Sequence, residues 1–447
     1  MSLPYGLASF FQLCIFYSIV FVTLVYLLKK YYYSKFYILI VFLFYPAFFE
    51  FFGMNVGNAY KVFVLIFTLW ISFRKNIYLS FNSGDKLITF FFVVFSFFFF
   101  VSTSKNDDDL TTILSQFSRY VIAYYLWFLV RKEIYYNQAK IEDFKRFIYD
   151  VIFMQIIINI GKLIIFSGKQ IEHIVGSLTL IGGGHATIIT IFGFIFLWLY
   201  RRGNFKFKDF LYIFGLILIG FLAGKRAIWY MMPIVIFLFM VYIPNKKINS
   251  TIFFTILLMP IVFYFGIRLT PTLNPDNKIW GRFSIDHIME YGNKYQFGDN
   301  TKENKLVAQG RGGATLSLFN KLYSDVVLND KDWFGLGLTI MYNTSYEEFQ
   351  NFKTGLNMKG SASGIYQTYI TTGYMGVLST IFLFSPMLLN IKIRRIRLVL
   401  TLIVCWEYFM YIGLIFRVPA FMFLLVFFIH YFNYSLIKIK KIEVVHS

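Results

Sequence analysis

Of 447 residues, 58% are hydrophobic and 22% aromatic, and the mean hydropathy is +0.61. These values exclude an ordinary soluble domain, and apolar runs of about 18 residues or more recur along the chain. The net charge of +20 does not indicate nucleic acid as a partner, because no basic stripe accompanies a folded soluble domain.

In chain order, apolar spans are predicted near 6–28, 36–52, 60–73, 86–103, 111–130, 146–166, 183–200, 209–223, 226–243, 250–268, 365–390, 397–416 and 418–437. That makes thirteen, with twelve to fourteen as the range because the third and eighth are short. Helices are expected: the runs lack the alternation of barrel strands, and backbone groups in lipid must satisfy one another. The start does not read as a cleaved signal, having no basic leader and too long an apolar run. Three parts follow: an N-terminal bundle over 1–268, a polar loop over 269–363, and C-terminal helices with a short tail over 364–447. Such a late loop suits a membrane enzyme acting at the far face better than a channel.

Charge orients the chain. With the N-terminus outside, 24 of the 43 basic residues fall in inner loops and tail, and six fall in short outer loops: Lys61, Lys105, Lys169, Lys225, Arg226 and Arg417. This is the positive-inside pattern. It puts the long loop outside, where its 10 basic and 10 acidic residues cancel. Cys14 and Cys405 both lie in spans, and the histidines show no metal-ligand spacing. No metal, cofactor or nucleotide-binding loop is expected.

The informative cations are those that topology or hydrophobicity disfavours. Arg119 lies about nine residues into the fifth span, well below the surface at about 1.5 Å per residue, and a buried charge there is costly. Lys162 lies one turn below the outer end of the sixth span. Each either snorkels to the interface, pairs with an acid such as Glu50, or contributes to a shared anion site. Gly224-Lys225-Arg226-Ala227 forms a tight outer turn with two adjacent cations, and Arg offers a planar fork to phosphate oxygens. Arg268 and Arg417 sit at outer span ends. His185 follows three glycines at the start of the seventh span and is placed for sugar contact or proton transfer. Glu407, mid-span, reads as an internal ion-pair partner or a coupling site.

Within the loop, Gly310-Arg311-Gly312-Gly313 precedes an amphipathic stretch, with Leu318, Phe319, Leu322, Tyr323 and Val326 as its apolar stripe. Gly335-Leu336-Gly337 follows. Ser361-Ala362-Ser363-Gly364-Ile365-Tyr366-Gln367 leads into the next span, which contains Gly373 and Gly376.

This constellation resembles the bacterial O-antigen polymerase and ligase superfamily, and its Wzy-type polymerases in particular. Those proteins have many spans, a large late outer loop, an [ST]-R-[GA]-like outer turn, a G-R segment before a helix, a G-x-G, and a loop end of the form H-N-x-x-L-Q followed by E-x-G-x-x-G. Arg226 takes the place of the turn arginine, and Arg311 that of the G-R segment. Gln367, Gly373 and Gly376 match the loop end, but Ala362 and Ser363 replace His-Asn. Because the ligases rely on that His, the resemblance favours a polymerase.

The resemblance implies an all-α polytopic GT-C-like bundle in the bacterial cytoplasmic membrane, with the loop extracytoplasmic and the C-terminus cytoplasmic. It implies metal-independent glycosyl transfer between undecaprenyl-diphosphate-linked oligosaccharides. The partners are that lipid-linked glycan, the bilayer and a chain-length regulator protein. Arg226, His185 and Arg311 are the expected catalytic residues. Arg119, Lys162, Lys225, Arg268, Arg417, Ser361, Ser363 and Gln367 are the expected binding residues. His185, Glu347 and Glu348 are the candidate bases. The alternatives are a flippase or other transporter of lipid-linked oligosaccharide, and an O-antigen ligase.

Overall fold

The computed structural model describes residues 10–51, 59–75, 83–106, 108–136, 141–165, 176–178, 183–201, 206–222, 227–228, 231–235, 260–261, 263–297, 311–323, 328–338, 363–411 and 413–446. Among the described residues the chain is helical, with no strand. The elements are α1 (Phe10–Tyr31), α2 (Lys35–Phe44), α3 (Pro46–Phe51), α4 (Ala59–Arg74), α5 (Ser83–Lys105), α6 (Leu110–Tyr136), α7 (Ile141–Ile165), α8 (Gly183–Arg201) and α9 (Phe207–Leu222). The long-loop region contributes α10 (Ile285–Phe297), α11 (Arg311–Tyr323) and α12 (Asp330–Phe334). The C-terminal part holds α13 (Gly364–Leu389), α14 (Arg394–Cys405), a π-turn (Trp406–Met410), α15 (Leu414–Arg417) and α16 (Pro419–His446).

Six helices among the described residues are long and apolar enough to cross a membrane: Phe10–Tyr31, Gly84–Lys105, Leu110–Tyr136, Ile141–Ile165, Gly184–Arg201 and Gly364–Leu389. The protein is therefore a helical membrane protein. Its outer faces agree with this. Phe90, Val93 and Phe97 of α5 are 60–63% exposed at helical spacing, an arrangement costly in water and neutral against lipid tails. The centre of the bundle is α16, where every residue from Phe421 to Ile429 is buried. A helix apolar on all sides is covered on all sides, and α6, α2 and α8 pack around it.

Three predicted spans are broken, 365–390 among them, at Gly373. The 36–52 run ends as a helix at Phe44 and restarts at Pro46, because proline removes an N–H and disfavours helix in the residue before it. The 397–416 run passes from α14 into a π-turn and then breaks, with Gly413 at φ +74°.

Antiparallel pairing gathers the helix ends on two sides of the bundle. At one end, carboxylates pair with cations of the bundle: Lys30 with Asp150 at 2.6 Å, Lys75 with Glu133 at 3.0 Å, Arg131 with Asp85, and, across the short α8–α9 connection, Arg201 with Asp209 at 2.6 Å. At the other end, α12 and the segment after it lie on the α5–α6 junction. Asn106 donates to the Phe334 carbonyl at 3.2 Å, Asp108 accepts from the Leu338 N–H at 2.9 Å, and Ser102 bonds the Phe334 carbonyl.

Candidate functional site

A cavity of about 310 Å³ opens at the loop-bearing end. It lies between α5 (Phe95, Phe99), α6 (Gln116, Arg119, Tyr120), α13 (Thr368 to Thr380) and α15 (Leu414, Arg417), with Lys61 of α4, His185 of α8 and Leu338 completing the wall. Among the described residues, three cations and a histidine line it, and no carboxylate does.

Each cation is held from behind. Lys61 donates to Ser115 Oγ at 3.3 Å. The Arg119 Nε donates to the Gln116 carbonyl at 3.0 Å, and its guanidinium lies 5.7 Å from the Tyr120 ring. Arg417 donates to Gln367 Oε1. None of the three forms an ion pair with a carboxylate among the described residues. All three line the same cavity. Three like charges grouped within a membrane bundle repel, and an anion among them relieves the repulsion.

The wall is shaped by two helix breaks. Gly373 of α13 has φ +67°, a conformation open to glycine and strained for side chains. The break frees the carbonyls of Ile370 and Thr371 from their intrahelical partners. They accept instead from the N–H groups of Leu336 (2.7 Å) and Gly337 (3.2 Å). The loop's Gly-Leu-Gly motif thus closes a helix that lines the cavity. The second break, at Gly413, precedes α15, and Glu407 in the π-turn accepts from the N–H groups of Leu414 and Ile415. The mid-span acid is therefore satisfied by backbone rather than by an ion pair.

Just before α6, exposed Asp109 takes hydrogen bonds from the Thr111 hydroxyl and the Thr112 N–H. These bonds hold its carboxyl below the usual carboxylate range and cap the first turn of α6.

Of the residues singled out from sequence, the structure brings Arg119, His185 and Arg417 onto one wall, with Gln367 bonded to Arg417. It does not bring Lys162 there. That ammonium is buried on the α1–α7 seam, 4.9 Å from the Phe16 ring, because its side chain points to α1 rather than to α6. Arg268 also lies elsewhere. It donates to the Gly281 carbonyl at 2.9 Å and to Tyr264 Oη at 2.8 Å, and it stacks on Trp280, so it closes a local turn. Ser363 is a helix cap: its buried hydroxyl accepts from the Tyr366 N–H and pairs with Thr315 Oγ1 at 2.9 Å. Lys225, Arg226, Ser361, Glu347 and Glu348 lie outside the described residues. So do the side chains of Arg311, which opens α11, and Glu50.

Lys61 was not singled out by sequence reasoning. The signal was available: it is one of the six short-loop cations on the disfavoured side, and it falls within a predicted span.

No protein-family model matches the chain, and no curated protein matches it.

Proposed function

We propose that the cavity binds the diphosphate of a polyprenyl-linked glycan, and that the protein polymerises lipid-linked oligosaccharide units at the outer face of the bacterial cytoplasmic membrane. The carrying observation is the clustering of Lys61, Arg119 and Arg417 on a wall to which the described residues bring no carboxylate. In this reading the bundle is GT-C-like with about thirteen spans, and the 269–363 loop is extracytoplasmic.

The reaction needs little from the protein beyond charge and placement. A hydroxyl of one lipid-linked unit attacks the anomeric carbon of another. The new C–O bond forms as the bond to the diphosphate oxygen breaks, and the diphosphate leaves with the electron pair. Fixed cations stabilise that developing charge, and a guanidinium matches two phosphate oxygens at once. His185, on the same wall, is the group assigned to take the hydroxyl proton. Arg226 and Arg311, from the family-like motifs, are proposed to extend the same anion site. A volume of about 310 Å³ lies at the small end of ligand pockets, which suits a diphosphate and the sugar attached to it.

A second reading is favoured by one observation. Two helices lining the cavity are broken, at Gly373 and Gly413, and carriers place broken helices at their binding sites. A flippase for the same lipid-linked oligosaccharide therefore stays as the alternative. A strain deleted for the gene separates the two. Accumulation of glycan with a single repeat supports polymerisation. Lipid-linked precursor retained at the inner face supports transport. Full-length polymer left on its lipid carrier points to a ligase.

A further inference from the structure

We propose that Glu407 is a positioning residue for Arg417, holding that guanidinium toward the cavity without competing for the ligand. The proposal rests on the reading of the cavity as a diphosphate site.

Glu407 is fully buried in the π-turn that precedes the Gly413 break. Its two carboxylate oxygens accept from the first N–H groups of α15, one from Leu414 and the other from Ile415 at 3.3 Å. Those N–H groups have no partner within the helix. Arg417 is the last residue of α15, three positions after Leu414 and so about one turn on. Fixing the start of so short a helix fixes its end.

The backbone around the break leaves little slack. The Gly364 N–H donates to the Tyr411 carbonyl at 2.9 Å, and a Cβ on Gly413 would stand 2.8 Å from the Gly364 Cα. Gln367 Oε1 accepts a hydrogen bond from the Arg417 guanidinium.

The chemistry explains why a carboxylate suits this place. It supplies two acceptors to two adjacent N–H groups, and its charge complements the positive helix start. It also attracts Arg417, yet its oxygens are turned to the backbone and lie off the cavity wall. The guanidinium keeps its face toward the cavity for phosphate oxygens.

The test uses the full chain in lipid nanodiscs with inorganic pyrophosphate as probe, measured by calorimetry. Arg417→Ala is expected to weaken binding about tenfold or more, the range for a hydrogen bond to a charged group. Glu407→Ala is expected to weaken it by a similar factor, with Glu407→Gln in between because the amide keeps one acceptor oxygen. The double variant Glu407→Ala/Arg417→Ala should bind no more weakly than Arg417→Ala alone. Where Glu407→Ala fails to fold, the Gln variant and its cycle with Arg417→Ala decide. Additive losses for Glu407 and Arg417, or wild-type binding by Glu407→Gln, overturn the positioning role while the cavity reading stands. Wild-type binding by Arg417→Ala instead removes the cavity reading, and the proposal with it.

Discussion

Gly335 and Gly373 meet backbone to backbone: a Cβ on Gly335 would stand 2.7 Å from the Gly373 amide nitrogen. One glycine lies in the long-loop region and the other in a membrane-spanning helix. Their contact lets Leu336 and Gly337 reach the carbonyls freed in α13.

Gly373→Ala should therefore undo this join. The new methyl would collide with the Trp333 carbonyl, and φ +67° is strained for alanine. The expected loss is about 2 kcal/mol or more, combining backbone strain with overpacking. It is read as a lowered melting temperature in detergent together with faster hydrogen exchange at Leu336 and Gly337. Unchanged exchange at those two amides would contradict the join.

The cation cluster makes a second expectation. Arg119→Ala and Lys61→Ala should each weaken pyrophosphate binding by about tenfold, the equivalent of about 1.4 kcal/mol. Arg417→Lys should recover less than half of what Arg417→Ala loses, since an ammonium supplies charge without the fork. Equal binding by the Lys and wild-type proteins would show that charge alone suffices.

At the opposite end, Asp85 is buried between the Trp127 Nε1–H (3.1 Å) and Arg131. Asp85→Ala leaves the guanidinium without its partner, and removing one member of a buried pair costs about 3–5 kcal/mol. Asp85→Asn keeps an acceptor for Trp127 and should cost less. Thermal unfolding in detergent measures both, and an Ala variant as stable as wild type would contradict the pairing.

Legibility from sequence followed the physics of each segment. Long apolar helices such as α5 and α7 were readable because nothing interrupts their runs, and α13 was readable as a span although its break at Gly373 was not. The break after α2 escaped the span reading of 36–52 despite Pro46, since apolar content alone carries no backbone geometry. The Gly413 break was less visible still: one glycine in a hydrophobic run does not announce a positive φ. Arg119 stood out because a lone charge deep in a span is costly. Lys61 did not, because a cation near a span end has an ordinary anchoring explanation. Which face of α7 Lys162 occupies depends on helix packing, which spacing along one helix does not encode.

Asp109 makes an expectation about pH. Its carboxyl is held below the usual range by the Thr111 hydroxyl first and the Thr112 N–H second. A depressed value means the cap contributes fully above the ordinary Asp value of about 3.9 and is lost as pH falls through the lower folded value. The first turn of α6, which leads to Arg119, should keep its amide protection from pH 7 to pH 5 and lose it only in stronger acid. Hydrogen exchange at Thr112 and Ile113 measures this. Loss of protection between pH 7 and 5 would contradict the cap.

The most direct measurement is conversion of lipid-linked glycan by the purified chain. Single-repeat polyprenyl-diphosphate glycan from the deletion strain is incorporated with the protein into vesicles, and the products are resolved by length on a gel. The expected result is a ladder of longer glycans with free polyprenyl diphosphate released, formed by the wild type and lost in Arg119→Ala/Arg417→Ala at equal protein level. Single-repeat glycan that stays unextended while it moves between leaflets would contradict polymerisation and assign the cavity to transport.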